Sequence, residues 1–413
     1  MPAIMDFPMS EPPIPQSLFP RGPPPSQKAP AMFRFLLILL AVILLPDLYI
    51  WRVYTRHAGS LLPTCLLLLP TVLIAACILL MFTRINLQLL WQTFFLLLLC
   101  LTVPKLFFMV FDLLAAGLAL VAPVLRAPGT KVALLLAIAT FGLQLYCTIY
   151  GGRRLEVCPR EIHLKQLPQA FDNYKIVQIS DLHIGTYGQN PSFPSRVVET
   201  VNALKPDLIV FTGDLINISP DEVAPHAEVL ARLQAKDGVL AILGNHDYSI
   251  YNHQATPGLE RANLRKLIEV EAALGWQLLR NQSTAITRGA DTLYILGVEN
   301  IGRPPFPSKG SIPKALEAVP PGACTILLSH DPWSWRHEVL PHTDIPLTLS
   351  GHTHAFQLQI GNFSPAQWIQ PEWGGLYCEQ GRQLFVSTGI GGSVPYRLGA
   401  WPKVEVLTLR ADP

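Results

Sequence analysis

Charge is what this sequence has least of. Only 15% of its 413 residues are Asp, Glu, Lys or Arg, against 50% hydrophobic, a balance too apolar for an ordinary soluble protein. Of its seven cysteines, Cys65, Cys77, Cys100 and Cys147 lie in the apolar N-terminal part. The others, Cys158, Cys324 and Cys378, are odd in number and far apart, which excludes a disulfide framework and a thiolate zinc site. No basic tract with interleaved aromatics occurs and the net charge is only +2, so no nucleic-acid partner is expected. No internal repeat is present. The start lacks the charged segment and small-residue cleavage site of a secretory leader, and no cleaved signal is expected.

The apolar excess is concentrated. Residues 1–32 are a proline-rich tail (EPPIPQ, RGPPPSQ), expected to be disordered. Residues 33–150 follow as a membrane region. Phe33–Trp51, Leu61–Phe82 and Val132–Tyr150 each approach the roughly 20 residues that cross a bilayer. The longer block Leu87–Leu125 is interrupted by Pro104-Lys105 and reads as two spans, Leu87–Val103 and Leu106–Leu125. Five spans result, which puts the tail and the C-terminal domain on opposite faces. Four is the alternative, because a hairpin with only Pro-Lys at its apex is tight. Asp47 and Asp112 have no basic partner at matching depth along the sequence. They read as interfacial acids rather than a transport path.

Residues 151–413 have globular composition. KIVQIS, LIVFTG, VLAILG, TLYILGV, CTILLS, PLTLSG and LFVSTG are nearly all apolar, the mark of strands buried on both faces. Ser195–Leu204, His226–Ala235 and Leu259–Gly275 have helical spacing. The fold expected is a layered α/β domain, with its site at the carboxyl ends of the strands. Polar residues follow those runs at once: Asp181-x-His183, Gly213-Asp214, Gly244-Asn245-His246-Asp247, His330 and Gly351-His352-x-His354. Carboxylate, imidazole and amide ligands without thiolate favour borderline or hard divalent ions. Seven ligand candidates are too many for one ion, whereas two ions about 3.5–4 Å apart sharing a carboxylate would use them all.

The pattern DLH, GD, GNHD, H and GHTH resembles that of the calcineurin-like metallophosphoesterases over about residues 170–410. The resemblance implies a four-layer αββα sandwich with a binuclear site. One metal would be held by Asp181, His183, Asp214 and His354. The other would be held by Asp214, Asn245, His330 and His352, with Asp214 bridging. His246 would face the scissile phosphate and Asp247 would orient it. The implied reaction is hydrolysis of a phosphomonoester or phosphodiester by a metal-bridging hydroxide. The ions expected are Mn, Fe or Zn. A lipid-linked phosphate at the bilayer is a natural substrate, and no oligomeric state is assigned. Bacterial relatives often follow GHTH with Gly-Gly-Gln; here Ala355-Phe356-Gln357 stands instead, which removes their guidance on substrate. Arg397 reads equally as a phosphate contact or as a structural ion pair. The alternative function is a catalytically silent receptor or scaffold, against which the ligand set is complete. A transporter would need paired charges within the spans. Three sequons, at Asn217, Asn281 and Asn362, lean towards a lumenal or extracellular domain.

Overall fold

A computed structural model describes residues 25–81, 87–252, 256–304 and 306–412. Residues 1–24, most of the expected tail, lie outside them. Helices α1 (Pro25–Ile50), α2 (Leu62–Leu80), α3 (Leu87–Leu97), α4 (Val103–Ala119) and α5 (Arg126–Ile149) come first. Helix α1 begins within the stretch assigned to the tail.

Among the described residues, four helical stretches rather than five are long and apolar enough to cross a membrane: Leu37–Thr55, Leu62–Leu80, Gln88–Ala119 and Pro123–Arg153. Pro104 does not end a span. A π-turn, Leu98–Thr102, joins α3 to α4, and the Val103 N–H reaches back to the Leu98 carbonyl. That widened turn absorbs the missing N–H and the ring of the proline. Lys105 is no hairpin apex. Its amine donates to Asp47 at 2.7 Å and to the Leu67 carbonyl at 2.6 Å.

The acids of this region are paired, contrary to the sequence reading. Buried Asp47 also accepts from the Thr71 hydroxyl at 2.5 Å. Buried Asp112 meets Arg126 and Thr130, each at 2.7 Å, and the hydroxyls of Tyr49 and Tyr54. The partners lie on other helices, so matching depths along the sequence could not find them. Each carboxylate is saturated by groups from neighbouring helices, which suits a staple between helices better than a transport path.

The part of the chain after the helices contains two six-stranded sheets. Their strands are β1 (Glu156–Leu164), β2 (Lys175–Ile179), β3 (Leu208–Phe211), β4 (Val239–Ala241), β5 (Gln277–Leu278), β6 (Gln282–Arg288), β7 (Asp291–Gly297), β8 (Thr325–Leu328), β9 (Leu347–Ser350), β10 (Gly375–Glu379), β11 (Arg382–Val386) and β12 (Lys403–Ala411). One sheet runs β1-β12-β2-β3-β4-β5, the other β10-β11-β9-β8-β7-β6. Pro159 in β1 is tolerated because β1 is an edge strand. Alternate residues of each strand face opposite layers. Ile176, Leu208 and Val210 meet Leu293, Ile326 and Leu349 between the sheets. Val177, Ile209 and Phe211 pack outward on helices α6 (Ser192–Ala203) and α7 (Pro257–Ala273). On the far side Leu296, Leu327 and Leu384 pack on Ile312 and Trp335. This is the expected four-layer arrangement. The helix expected over His226–Ala235 is only one turn, Ala227–Leu230, after a 3-10 stretch, Pro220–His226, that contains Pro225.

This part of the chain sits directly on the helices. Gln88, at the start of the long stretch, donates to the Ser393 carbonyl at 2.9 Å. The Arg397 N–H donates to the Cys147 carbonyl at 3.2 Å. Val394 and Tyr396 pack with Phe95, Leu96 and Leu99.

One buried acid in β12 gives a pH-dependent contribution. Glu405 is only 3% exposed, and burial pushes its carboxyl up to about 7 against the neighbouring cations Lys403 and Arg160. Between about pH 4.5 and 7 the unfolded chain releases a proton that the folded chain keeps, so stability falls as pH rises through that window. Glu405→Gln, always neutral, should raise the thermal midpoint at pH 8 by an amount equivalent to at most about 3 kcal/mol. At pH 4.5 it should match wild type. Parallel melting profiles for the two proteins across that range would refute the assignment.

Candidate metal centre

Five strand ends converge. Asp181 and His183 follow β2, Asp214 follows β3, Asn245 follows β4, His330 follows β8, and His352 and His354 follow β9. The parallel run β2-β3-β4 supplies one half of the site and the parallel pair β8-β9 the other. Asp181, His183, Asp214 and His354 form a group whose ligand atoms all lie within 4.8 Å of one another. Asp214, His330 and His352 form a second such group. Asp214 belongs to both, the place a bridging carboxylate must occupy. Asn245 joins the second group through its Oδ1, 3.2 Å from His330 Nε2.

The backbone is forced to make this convergence. Asp181, His183, Asp214, His352 and His354 all have positive φ, from 44° to 76°, a conformation that L-residues adopt at a cost and that clusters at functional sites. Two motif glycines are sterically required. A Cβ on Gly244 would strike the Asp214 carboxylate, and one on Gly351 would strike Ser180 and Asp181.

Hydrogen bonds fix which ring nitrogens face inward. His330 Nδ1 donates to the Thr212 carbonyl at 2.7 Å, which turns Nε2 into the site. Nε2 faces Asp214 Oδ2 and Asn245 Oδ1, each at 3.2 Å. Asn217 Nδ2 donates to Thr186, so its Oδ1 accepts from His183 Nδ1 at 3.2 Å. His183 Nε2 then points at His354 Nε2, 3.1 Å away. Such close approaches between ring nitrogens and oxygens need a proton or a metal ion between them. Nδ1 of both His352 and His354 is buried without a hydrogen-bond partner. The donor set therefore fits divalent cations. The carboxylates draw positive charge to this place. Burial alone would lower the His330 pKa, but Asp214 and Asp181 override it and push it up to about 10. Burial and His246 push His183 down to about 3. Burial opposes the charge on Asp214, yet His330, His246 and His183 hold its carboxyl well below the usual range.

Asp247 does not orient His246. Its carboxylate accepts from the backbone N–H groups of Asp214, Leu215, Ile216 and Gly244 at 2.8–3.3 Å, tying two site loops together. His246 Nδ1 instead donates to the Asn217 carbonyl at 2.8 Å, and Tyr251 stacks on its ring at 4.0 Å. Arg397 is neither a phosphate contact nor an ion pair. It is buried and donates to the carbonyls of Ala400, Thr388 and Gly391. Asn217, Tyr251 and Asp331, whose Oδ2 is 3.7 Å from His352 Nε2, escaped the sequence reading. The signal for Asn217 was its place three residues after Asp214 in GDLIN. As sequon acceptors, Asn217 is buried and Asn281 is held by Lys309, Glu299 and Ser311. Only Asn362 is exposed.

The site floors a cavity of about 740 Å³ lined by Asp214, Asn245, His246, His352 and His354, with Arg303 on its wall.

Residues 174–356 match the family model described as calcineurin-like phosphoesterase. The chain is 32% identical over 281 residues to the uncharacterized metallophosphoesterase YkuE of Bacillus subtilis, an alignment covering 64% of this chain and 89% of that protein. It is 30% identical over 265 residues to the transmembrane protein with metallophosphoesterase domain of Bos taurus. That alignment covers 61% of this chain but only 56% of the bovine protein, so the chain spans little more than half the relative's length. It is 27% identical over 300 residues to the UDP-2,3-diacylglucosamine pyrophosphatase LpxG of Chlamydia trachomatis, covering 60% of this chain and 89% of LpxG.

Proposed function

The chain belongs to the calcineurin-like metallophosphoesterases, and on that premise we propose that it is a membrane-anchored hydrolase of phosphomonoesters or phosphodiesters with a dinuclear centre. The observation that carries this reading is Asp214, common to two ligand groups on the floor of one cavity. In our assignment Asp181, His183, Asp214 and His354 hold one ion, and Asp214, Asn245, His330 and His352 hold the other. Two such ions, when bound, supply an activated water and clamp the attacking and leaving oxygens of an in-line displacement.

The protein's own groups do the rest. Once protonated, the His246 ring donates from Nε2 to the leaving alkoxide, while the Asn217 carbonyl keeps its bond to Nδ1. Tyr251 limits the swing of that ring. Arg303, on the cavity wall, is the cation that could contact a phosphate oxygen. LpxG is named for a diacylated sugar nucleotide, which supports a lipid-linked phosphate as substrate.

The test is metal dependence. Full-length protein stripped with chelator should lose hydrolysis of an aryl phosphate and regain it with Mn²⁺. Undiminished turnover by rigorously metal-free protein would overturn the reading and favour a phosphoesterase of another type.

A further inference from the structure

The segment that follows the last ligand has an unusual composition. From Ala355 to Gln370 it reads AFQLQIGNFSPAQWIQ, with no charged residue in the whole stretch. Its large apolar side chains are turned outward: Trp368 is 74% exposed, Ile360 65% and Phe356 50%, with Phe363 and Ile369 exposed as well. A soluble surface seldom gathers so many in one place. They are held there firmly. Ala355, Phe356 and Gln357 all have φ between 50° and 57°, and Gln357 Nε2 donates to the carbonyls of Val394 and Tyr396 at 2.9 and 2.6 Å.

The place of the segment is the second observation. Leu358 bridges to Leu398, which packs in the cluster of Phe95, Leu96 and Leu99 from the helix Gln88–Ala119. Phe95 and Leu99 also line the same cavity as His246 and the metal ligands, together with Phe356, Leu358 and Ile369. One wall of the catalytic cavity is thus a helix long and apolar enough to cross a membrane, and its rim is an uncharged apolar apron carrying the Trp that favours membrane interfaces.

We propose that Phe356–Ile369 seats in the headgroup layer and that the groove between Phe356, Ile369, Phe95 and Leu99 takes the acyl chain of a membrane lipid whose phosphate ester lies at the metal centre. This rests on the phosphoesterase reading and deepens it. The lipid reaches the site sideways from the bilayer, its chain remaining against apolar surface throughout. A water-soluble phosphate ester would leave the groove unfilled. An apron seated at the membrane also leaves Asn362, within it, no room for a glycan.

Two measurements on the full chain in lipid nanodiscs test the proposal. The first does not depend on turnover. Acyl-brominated phosphatidylcholine should quench a component of the tryptophan fluorescence that is missing in Trp368→Phe. Equal quenching in the two proteins would overturn the seating. The second uses alkyl monophosphates from butyl to dodecyl as inhibitors of aryl phosphate hydrolysis. Wild type should show at least about a tenfold gain in affinity along the series, and Phe356→Gln combined with Ile369→Gln should flatten it. A flat series in wild type, or an unchanged slope in the double variant, would overturn the acyl groove. Absence of aryl phosphate hydrolysis with every divalent ion would instead refute the phosphoesterase reading, and the quenching arm would still decide the seating.

Discussion

Asp214→Asn should lower turnover of any phosphate ester by at least about 10³-fold, equivalent to about 4 kcal/mol of lost transition-state stabilisation. Asp214 is the residue shared by the two ligand groups, and a neutral amide has neither the charge nor the second anionic oxygen to hold two cations together. The fold should survive the change. The Asp214 N–H still donates to Asp247, and an amide oxygen can still accept from the His246 N–H, as Oδ1 does at 2.8 Å. Metal content per chain, measured by plasma mass spectrometry alongside turnover, should fall from about two towards one. A variant that keeps both metals and most of its activity would remove Asp214 from the bridging position.

His246→Ala should separate chemistry from metal binding. The His246 ring belongs to neither ligand group, so metal content should stay at the wild-type level. The rate on an alkyl phosphate should drop by about 10²–10⁴-fold, the usual contribution of a positioned general acid. An aryl phosphate expels a stable phenolate without help and should lose much less. Comparing kcat/KM for the two leaving groups in wild type and variant isolates the proton transfer. Equal losses on both would show that His246 acts otherwise, for example by binding the phosphate.

The legible parts of this protein were those that act locally along the chain. An apolar run stopping at Asp181-x-His183 or Asn245-His246 announces a buried strand delivering a polar side chain, and the strand ends so announced bring seven candidate ligands close together. The apolar strands were legible for the same reason. The short or half-polar β5, β6 and β10 carried no such signal. What escaped depends on partners distant in sequence. Asp247 looks like a companion of His246 because it is adjacent, but its carboxylate is consumed by four backbone N–H groups of the strand-end loops. Asn217 looks like a sequon, yet it fixes His183 with its side chain and His246 with its carbonyl. Asp47 looked unpartnered until Lys105 came to it from another helix. Pro104 looked like a break because a proline's cost is local, whereas the π-turn that absorbs it is spread over five residues.

Were each of the four candidate stretches to cross the bilayer, that uninterrupted helix would also change the parity of the chain. Four crossings return a polypeptide to the side from which it set out; five would have left it opposite. The contacts run the same way, since Gln88 and Cys147, at the two ends nearest the catalytic domain, both bond to it. With all four stretches crossing, Leu37 at the start of the first would share the side of His246 with Arg153, and Arg52 near the end of the first would lie on the other.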